Sequence, residues 1–192
     1  MDISNGENIG VSLFVQGCHF HCYNCFNPET WDFSGGKEWT QETKEKFLEL
    51  VDRPYIKRIS ILGGEPLAEE NLDGVLDLVI EINKRYNVSH ISLPRRKIWL
   101  YTGFLWDDVF DSWDDVFNDN TMSEKKYNLD FIKKALHDHD KRKQIISKCD
   151  VLVDGRYIES KHDITLHWKG SSNQRVIDVK KTLFQNKIVL YE

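Results

Sequence analysis

Four short apolar runs each end in a glycine-bearing turn, and this recurring pattern constrains the fold more than any other feature of the 192-residue chain. GVSLFVQ at 10–16 leads into Gly17-Cys18, and RISIL at 58–62 leads into Gly63-Gly64-Glu65. KIWLY at 97–101 leads into Thr102-Gly103, and DVLV at 150–153 leads into Asp154-Gly155. Short apolar runs bounded by turn residues read as buried strands. Helical patterns lie between them. Thr40 is placed to cap a helix that carries Phe47, Leu48 and Val51. Leu72, Val75, Leu76, Val79 and Ile82 share one helical face. Asn128 is placed to cap a helix carrying Phe131, Ile132, Ala135 and Leu136. Ile164 to Trp168 and Arg175 to Val179 read as further strands. Alternating strands and helices predict an α/β fold, with a mostly parallel sheet and outer helices. The strands are too few for a closed eight-unit barrel, so an open partial (β/α) barrel forming one domain over 1–192 is expected. Ligands bind such folds at the edge where the strands end, which is where the glycine turns collect.

Charge narrows the partners. The formal net charge is −5, and Arg95, Arg96 and Lys97 form too short a basic cluster for a phosphate backbone, so no nucleic-acid partner is expected. No stretch has the length and apolarity of a membrane span, and MDISNGENIGVSLF carries neither the basic nor the long apolar region of a signal peptide. The protein is therefore expected to be cytoplasmic, where clustered cysteines are more often metal ligands or redox centres than structural disulfides.

Three of the four cysteines stand together, at Cys18, Cys22 and Cys25, as C-x3-C-x2-C. Zinc is one reading, with His19 or His21 as fourth ligand, although both lie too close in sequence for easy joint ligation. A thioredoxin-like Cys22/Cys25 pair is another, but it leaves Cys18 idle. A [4Fe–4S] cluster on three thiolates is the third, and it leaves one iron open. The fourth cysteine, Cys149, reads as a buried packing residue. Gly63-Gly64-Glu65-Pro66 is the second motif. Its glycines allow close backbone approach, its carboxylate and carbonyls suit an ammonium group, and Pro66 fits a first helical turn. A plain strand-to-helix turn is the alternative.

The two motifs together resemble the radical S-adenosylmethionine superfamily. VSLFVQGC, CFNPETWDF, ILGGEPL, IWLYTGF, CDVLVDGRY and GSSNQRVIDV narrow the resemblance. These blocks are similar to the activating enzymes of anaerobic (class III) ribonucleoside-triphosphate reductases, from residue 11 to residue 179. The resemblance implies a radical SAM barrel, one [4Fe–4S] cluster held by Cys18, Cys22 and Cys25, and S-adenosyl-L-methionine as cofactor. It also implies reductive cleavage of that cofactor and a glycyl radical formed on the large subunit of the reductase. An electron donor such as a flavodoxin belongs to the same expectation. Residue by residue, Gly63, Gly64 and Glu65 would hold the methionine amino group. Asn24 and Phe26, beside Cys25, would contact adenine or ribose, while Thr102 and Asp154 would complete the cofactor shell. Gly170 to Arg175 would shape the mouth or meet the partner. Asn24 stands where the superfamily usually carries an aromatic residue. Residues 87–96 and 107–120 read as insertions, with Trp106, Phe110, Trp113 and Phe117 at roughly helical spacing. The competing functions are another radical SAM enzyme and a zinc-stabilised binding module.

Overall fold

The structure is a computed structural model that describes residues 1–87, 95–111 and 129–192. The apolar runs pair edge to edge into one five-stranded sheet. Its strands are β1 (Gly10–Val15), β2 (Arg58–Gly63), β3 (Lys97–Tyr101), β4 (Val151–Asp154) and β5 (Arg175–Asp178), ordered as in the chain. The first four run parallel, in register Gly10 with Arg58, Arg58 with Lys97 and Trp99 with Val151. β5 returns antiparallel, Val151 opposite Asp178.

Side-chain alternation gives the sheet two different faces. Val11, Ile59, Ile61, Ile98, Leu100, Leu152 and Ile177 point to the side covered by helices. There they meet α1 (Gln41–Val51), α2 (Leu72–Tyr86), α3 (Trp106–Phe110), α4 (Leu129–Lys148) and α5 (Val179–Gln185). Thr40 caps α1, its side chain accepting from the Thr43 N–H, as its position predicts. The opposite face carries Trp99, Val151, Val153 and Val176, against which Tyr101, Trp168 and Tyr191 pack. Near β1 this second face is polar, with Arg58 and Ser60 fully buried beneath the N-terminal segment. Among the described residues no helix is long and apolar enough to cross a membrane.

One expectation fails for an identifiable reason. Ile164–Trp168 is a chain of turns and bends, not a strand. Trp168 adopts φ +61° and sets its ring 5.1 Å from Trp99, plugging the second face rather than joining the sheet. The helix expected to carry Phe131, Ile132, Ala135 and Leu136 is present within α4; Phe131 and Leu136 are exposed on it, while Asp138, His139, Ile145 and Ile146 are buried. Arg142 shares the inner face, donating from Nε to Leu67 O at 2.9 Å, so polar residues occupy positions that an apolar count overlooks. Trp106 and Phe110 do form α3, their rings stacked at 4.0 Å. Trp113, Phe117 and Asn128 lie outside the described residues, as does most of the 87–96 stretch. Cys149 is fully buried, its Sγ 3.2 Å from Ile145 O, and burial pushes its thiol far up.

Candidate functional site

The strand ends converge because hydrogen bonding continues beyond the ladders. Gly64 N–H donates to Val15 O at 2.9 Å and Glu65 N–H to Gly17 O at 2.7 Å, joining the loops after β1 and β2. Thr102 N–H donates to Val153 O at 3.0 Å and Gly155 N–H to Phe104 O at 3.1 Å, joining those after β3 and β4. This closeness explains the paired glycines. Gly63 has φ +108°, and a Cβ on Gly64 would lie 2.3 Å from Gly17 O.

The cysteine loop is closed at its base by Gly17 N–H to Thr30 O at 2.8 Å and Cys18 N–H to Trp31 O at 3.1 Å. Within it, Cys25 N–H donates to Cys22 O at 3.0 Å, and Asn24 sits in that turn at φ +54°, a conformation asparagine tolerates. The Phe20 N–H is 3.4 Å from Cys18 Sγ and the Asn27 N–H 3.5 Å from Cys25 Sγ. All three thiols are free and half-buried. With Phe26, Gly63, Gly64, Glu65 and Thr102 they line one pocket of about 530 Å³, which reaches down the second sheet face to Ser4, Asn5 and Tyr101. Gly170 and Gln174, from the GSSNQR stretch, form part of its wall.

The donor chemistry suits a cluster better than a single ion. His19 is 3.0 Å from Glu70, and the His21 ring stacks on Trp31 at 4.7 Å. Among the described residues no three His, Cys, Asp or Glu side chains gather as they would around one metal ion. Ligands of a polynuclear centre sit on different irons and need no common focus. Burial raises the Cys18 and Cys22 thiols above the ordinary range. Ligation would displace those protons, because thiolate is the ligating form. Arg156, whose charge draws the Cys22 thiol partly back down, favours that displacement.

Glu65 occupies the centre of the site but turns its carboxylate into the protein. It is 3 % exposed. Oε1 accepts from Leu67 N–H at 2.8 Å and Thr102 Oγ1–H at 2.7 Å, and Oε2 accepts from Gly103 N–H at 2.7 Å. The carboxylate thus ties the loop after β2 to the loop after β3. Burial pushes its pKa up to about 7, against the pull of the Gly103, Thr102 and Leu67 donors. The folded protein holds this proton more tightly than the unfolded chain. The associated stability is therefore complete below the ordinary carboxylate range and is lost as pH rises through about 7. Thr102→Val removes one donor to the carboxylate and the acceptor of the Phe104 N–H. It is expected to cost about 1–3 kcal/mol. The deficit should be larger at pH 8 than at pH 5.5, read as urea midpoints at both.

Asn24 and Asp154 are not brought to the pocket wall. Asn24 serves the Cys22–Cys25 turn. Asp154 is fully buried, accepts from Trp106 N–H at 2.8 Å, and pairs with Arg175 at 2.5 and 3.0 Å. Its carboxylate fastens β5 and the start of α3. Arg156 and Tyr157 do line the pocket, the Tyr157 ring 5.1 Å from Phe26. Their signal in the sequence was their place directly after the Asp154-Gly155 turn.

The chain matches the family described as "4Fe-4S single cluster domain" over residues 4–177. It is 32% identical to the anaerobic ribonucleoside-triphosphate reductase-activating protein of Vibrio cholerae, over 91% of this chain and 90% of that one. The chain belongs to this activating-protein family. A relative of the same name from Salmonella typhi is 32% identical over 92% of both chains. One from Enterobacteria phage T4 is 27% identical over 91% of this chain and 87% of its own. The family match takes in the cysteine loop, the Gly63-Gly64-Glu65 turn and the GSSNQR stretch alike. No solved structure matches the chain.

Proposed function

We infer that the chain is the activating enzyme of an anaerobic ribonucleoside-triphosphate reductase. One [4Fe–4S] cluster on Cys18, Cys22 and Cys25 serves this role, with S-adenosyl-L-methionine as cofactor. One observation carries the reading: in a chain of this family, the three thiols and Gly63-Gly64-Glu65 line the same pocket. The sheet is read as an open, partial (β/α) barrel of the radical SAM type, with 1–192 as one activase domain. A cytoplasmic location and a flavodoxin-type electron donor complete the proposal.

When bound, the cluster would supply the one electron needed for reductive cleavage of S-adenosylmethionine, the chemistry by which a glycyl radical would be formed on the reductase. The chain's own residues prepare that event. Cys18, Cys22 and Cys25 would hold three irons and leave the fourth to the cofactor. Gly63 and Gly64 would offer backbone carbonyls to the methionine ammonium. Glu65, tied through Thr102 and Gly103, would keep that backbone in place. Phe26, Leu62 and Tyr101 would keep water from the pocket.

Anaerobically reconstituted, dithionite-reduced protein is expected to show a [4Fe–4S]⁺ EPR signal that changes when S-adenosylmethionine is added. A cluster signal indifferent to the cofactor, or a colourless protein holding one zinc, refutes the reading.

A further inference from the structure

A second cavity of about 580 Å³ adjoins the cysteine pocket. The two share Phe20, Gly103, Gly155 and Arg156 as walls. The floor of the second cavity is apolar, from Phe104 and Val109, and its rim carries Leu105 and Ile158, each 39% exposed. Its polar side chains are Asp108, His139, Arg142, Arg156 and Asn173, and Asp108 Oδ2 accepts from the Leu105 N–H at 3.0 Å. Arg156 stands on the shared wall with its guanidinium 4.2 Å from the centre of the Phe20 ring. Arg142, held by Leu67 O, lies 5.0 Å over Phe104. Asn173 donates from Nδ2 to Arg156 O at 2.8 Å, and its Oδ1 is buried with no hydrogen-bond partner among the described residues.

We propose that this cavity seats the stretch of reductase polypeptide that flanks the target glycine. The inference rests on the activase reading and adds where the protein substrate lies. A glycine has no side chain to reach into a pocket, so its Cα arrives only if the backbone itself enters. An extended chain advances about 3.3 Å per residue, so the next two or three residues must be housed within roughly 10 Å of the reacting position. The adjoining cavity supplies that room and the matching chemistry. Phe104, Val109, Leu105 and Ile158 suit an apolar side chain. Arg156 and Arg142 suit carbonyl or carboxylate oxygens.

The test fills the cavity from its rim, with Leu105→Trp and Ile158→Trp. Cluster EPR confirms that each variant is folded and loaded. With no reductase present, cleavage of S-adenosylmethionine by the dithionite-reduced variants is expected to stay within about twofold of the parent, because the cofactor pocket is untouched. Glycyl-radical yield on the anaerobic reductase should fall about 30-fold, the size of a binding hot spot. A photo-crosslinking residue at Ile158 should capture a reductase peptide next to the radical glycine. Unchanged radical yield, or crosslinks only to distant reductase segments, overturns the proposal. So does a joint loss of cleavage and of the cofactor-induced EPR change, which assigns the cavity to the cofactor. If the unmodified protein itself forms no radical on the reductase, the activase reading is what fails.

Discussion

Replacing Cys18, Cys22 or Cys25 singly by Ala is expected to reduce cleavage of S-adenosylmethionine to background and to remove most of the bound iron. The geometry gives each thiol a separate place in the same pocket. Removing one leaves two thiolates on a loop shaped for three. The expected phenotype is loss of the brown chromophore and of the reduced-cluster EPR signal, with the fold retained. Cys149→Ala is the control. That thiol is fully buried behind the helix-side core and bonds to Ile145 O. Its loss should leave iron content intact and cost about 1 kcal/mol for the small cavity it opens. His19→Ala and His21→Ala should likewise keep a full complement of iron. Iron analysis of the six variants separates the assignments. Full iron and undiminished cleavage in any of the three cysteine variants would exclude that thiol as a ligand, and iron loss in a histidine variant would reopen a mixed donor set.

The parts of this architecture that the sequence announces are those where one residue type has one physical use. Short strands closed by turn residues read as mainly apolar runs. The turns after them need glycine where backbones nearly touch, as Gly64 does against Gly17 O. Both signals are local, and β1 to β4 with the site edge follow from them. Signals that depend on distant partners are weaker. Ile164 to Trp168 has strand-like composition, but Trp168 is drawn out of any ladder by the Trp99 and Tyr191 rings on the second face. α4 forms where it is expected, but that it buries Asp138 and His139 while leaving Phe131 in solvent depends on its packing partners. The same limit applies within the site. A GGEP turn suggests a carboxylate offered to a ligand, yet whether Glu65 faces outward depends on Thr102 and Gly103, 37 and 38 residues away. Asp154 follows a strand as a site residue should, and Arg175, 21 residues later, engages it.

The largest effect on stability is expected at Asp2. Arg58 sits on the second face of β2 with its side chain 1% exposed, and Asp2 is its carboxylate partner at 3.0 Å. Its remaining donors go to carbonyls of the N-terminal segment and to the Ser60 hydroxyl: Nε to Glu7 O at 3.1 Å, Nη2 to Asp2 O at 3.0 Å, and Nη1 to Asn5 O and Ser60 Oγ. Residues 2–8 are thus folded around one buried guanidinium, and Ser4 and Asn5 from that strap form the lower wall of the cysteine pocket. Asp2→Ala leaves the buried cation without its counter-charge, a change that typically costs about 3–5 kcal/mol. Burial opposes ionisation of Asp2, but the Ser12 hydroxyl, the Ser4 N–H and Arg58 together hold its pKa at about 2. The carboxylate's contribution is therefore complete above its ordinary value of 3.8 and is lost as pH falls through about 2. In Asp2→Ala that part of the acid unfolding transition should disappear. Adding Arg58→Met to Asp2→Ala should recover part of the loss by removing the stranded charge, though Asn5 and Glu7 would still lack their donor. Urea denaturation of the two variants is the measurement. A loss below about 1 kcal/mol in Asp2→Ala would mean that water reaches the guanidinium and the strap is dispensable. The expected loss with partial recovery would make this polar centre a structural support for the pocket, with its lower wall depending on one ion pair.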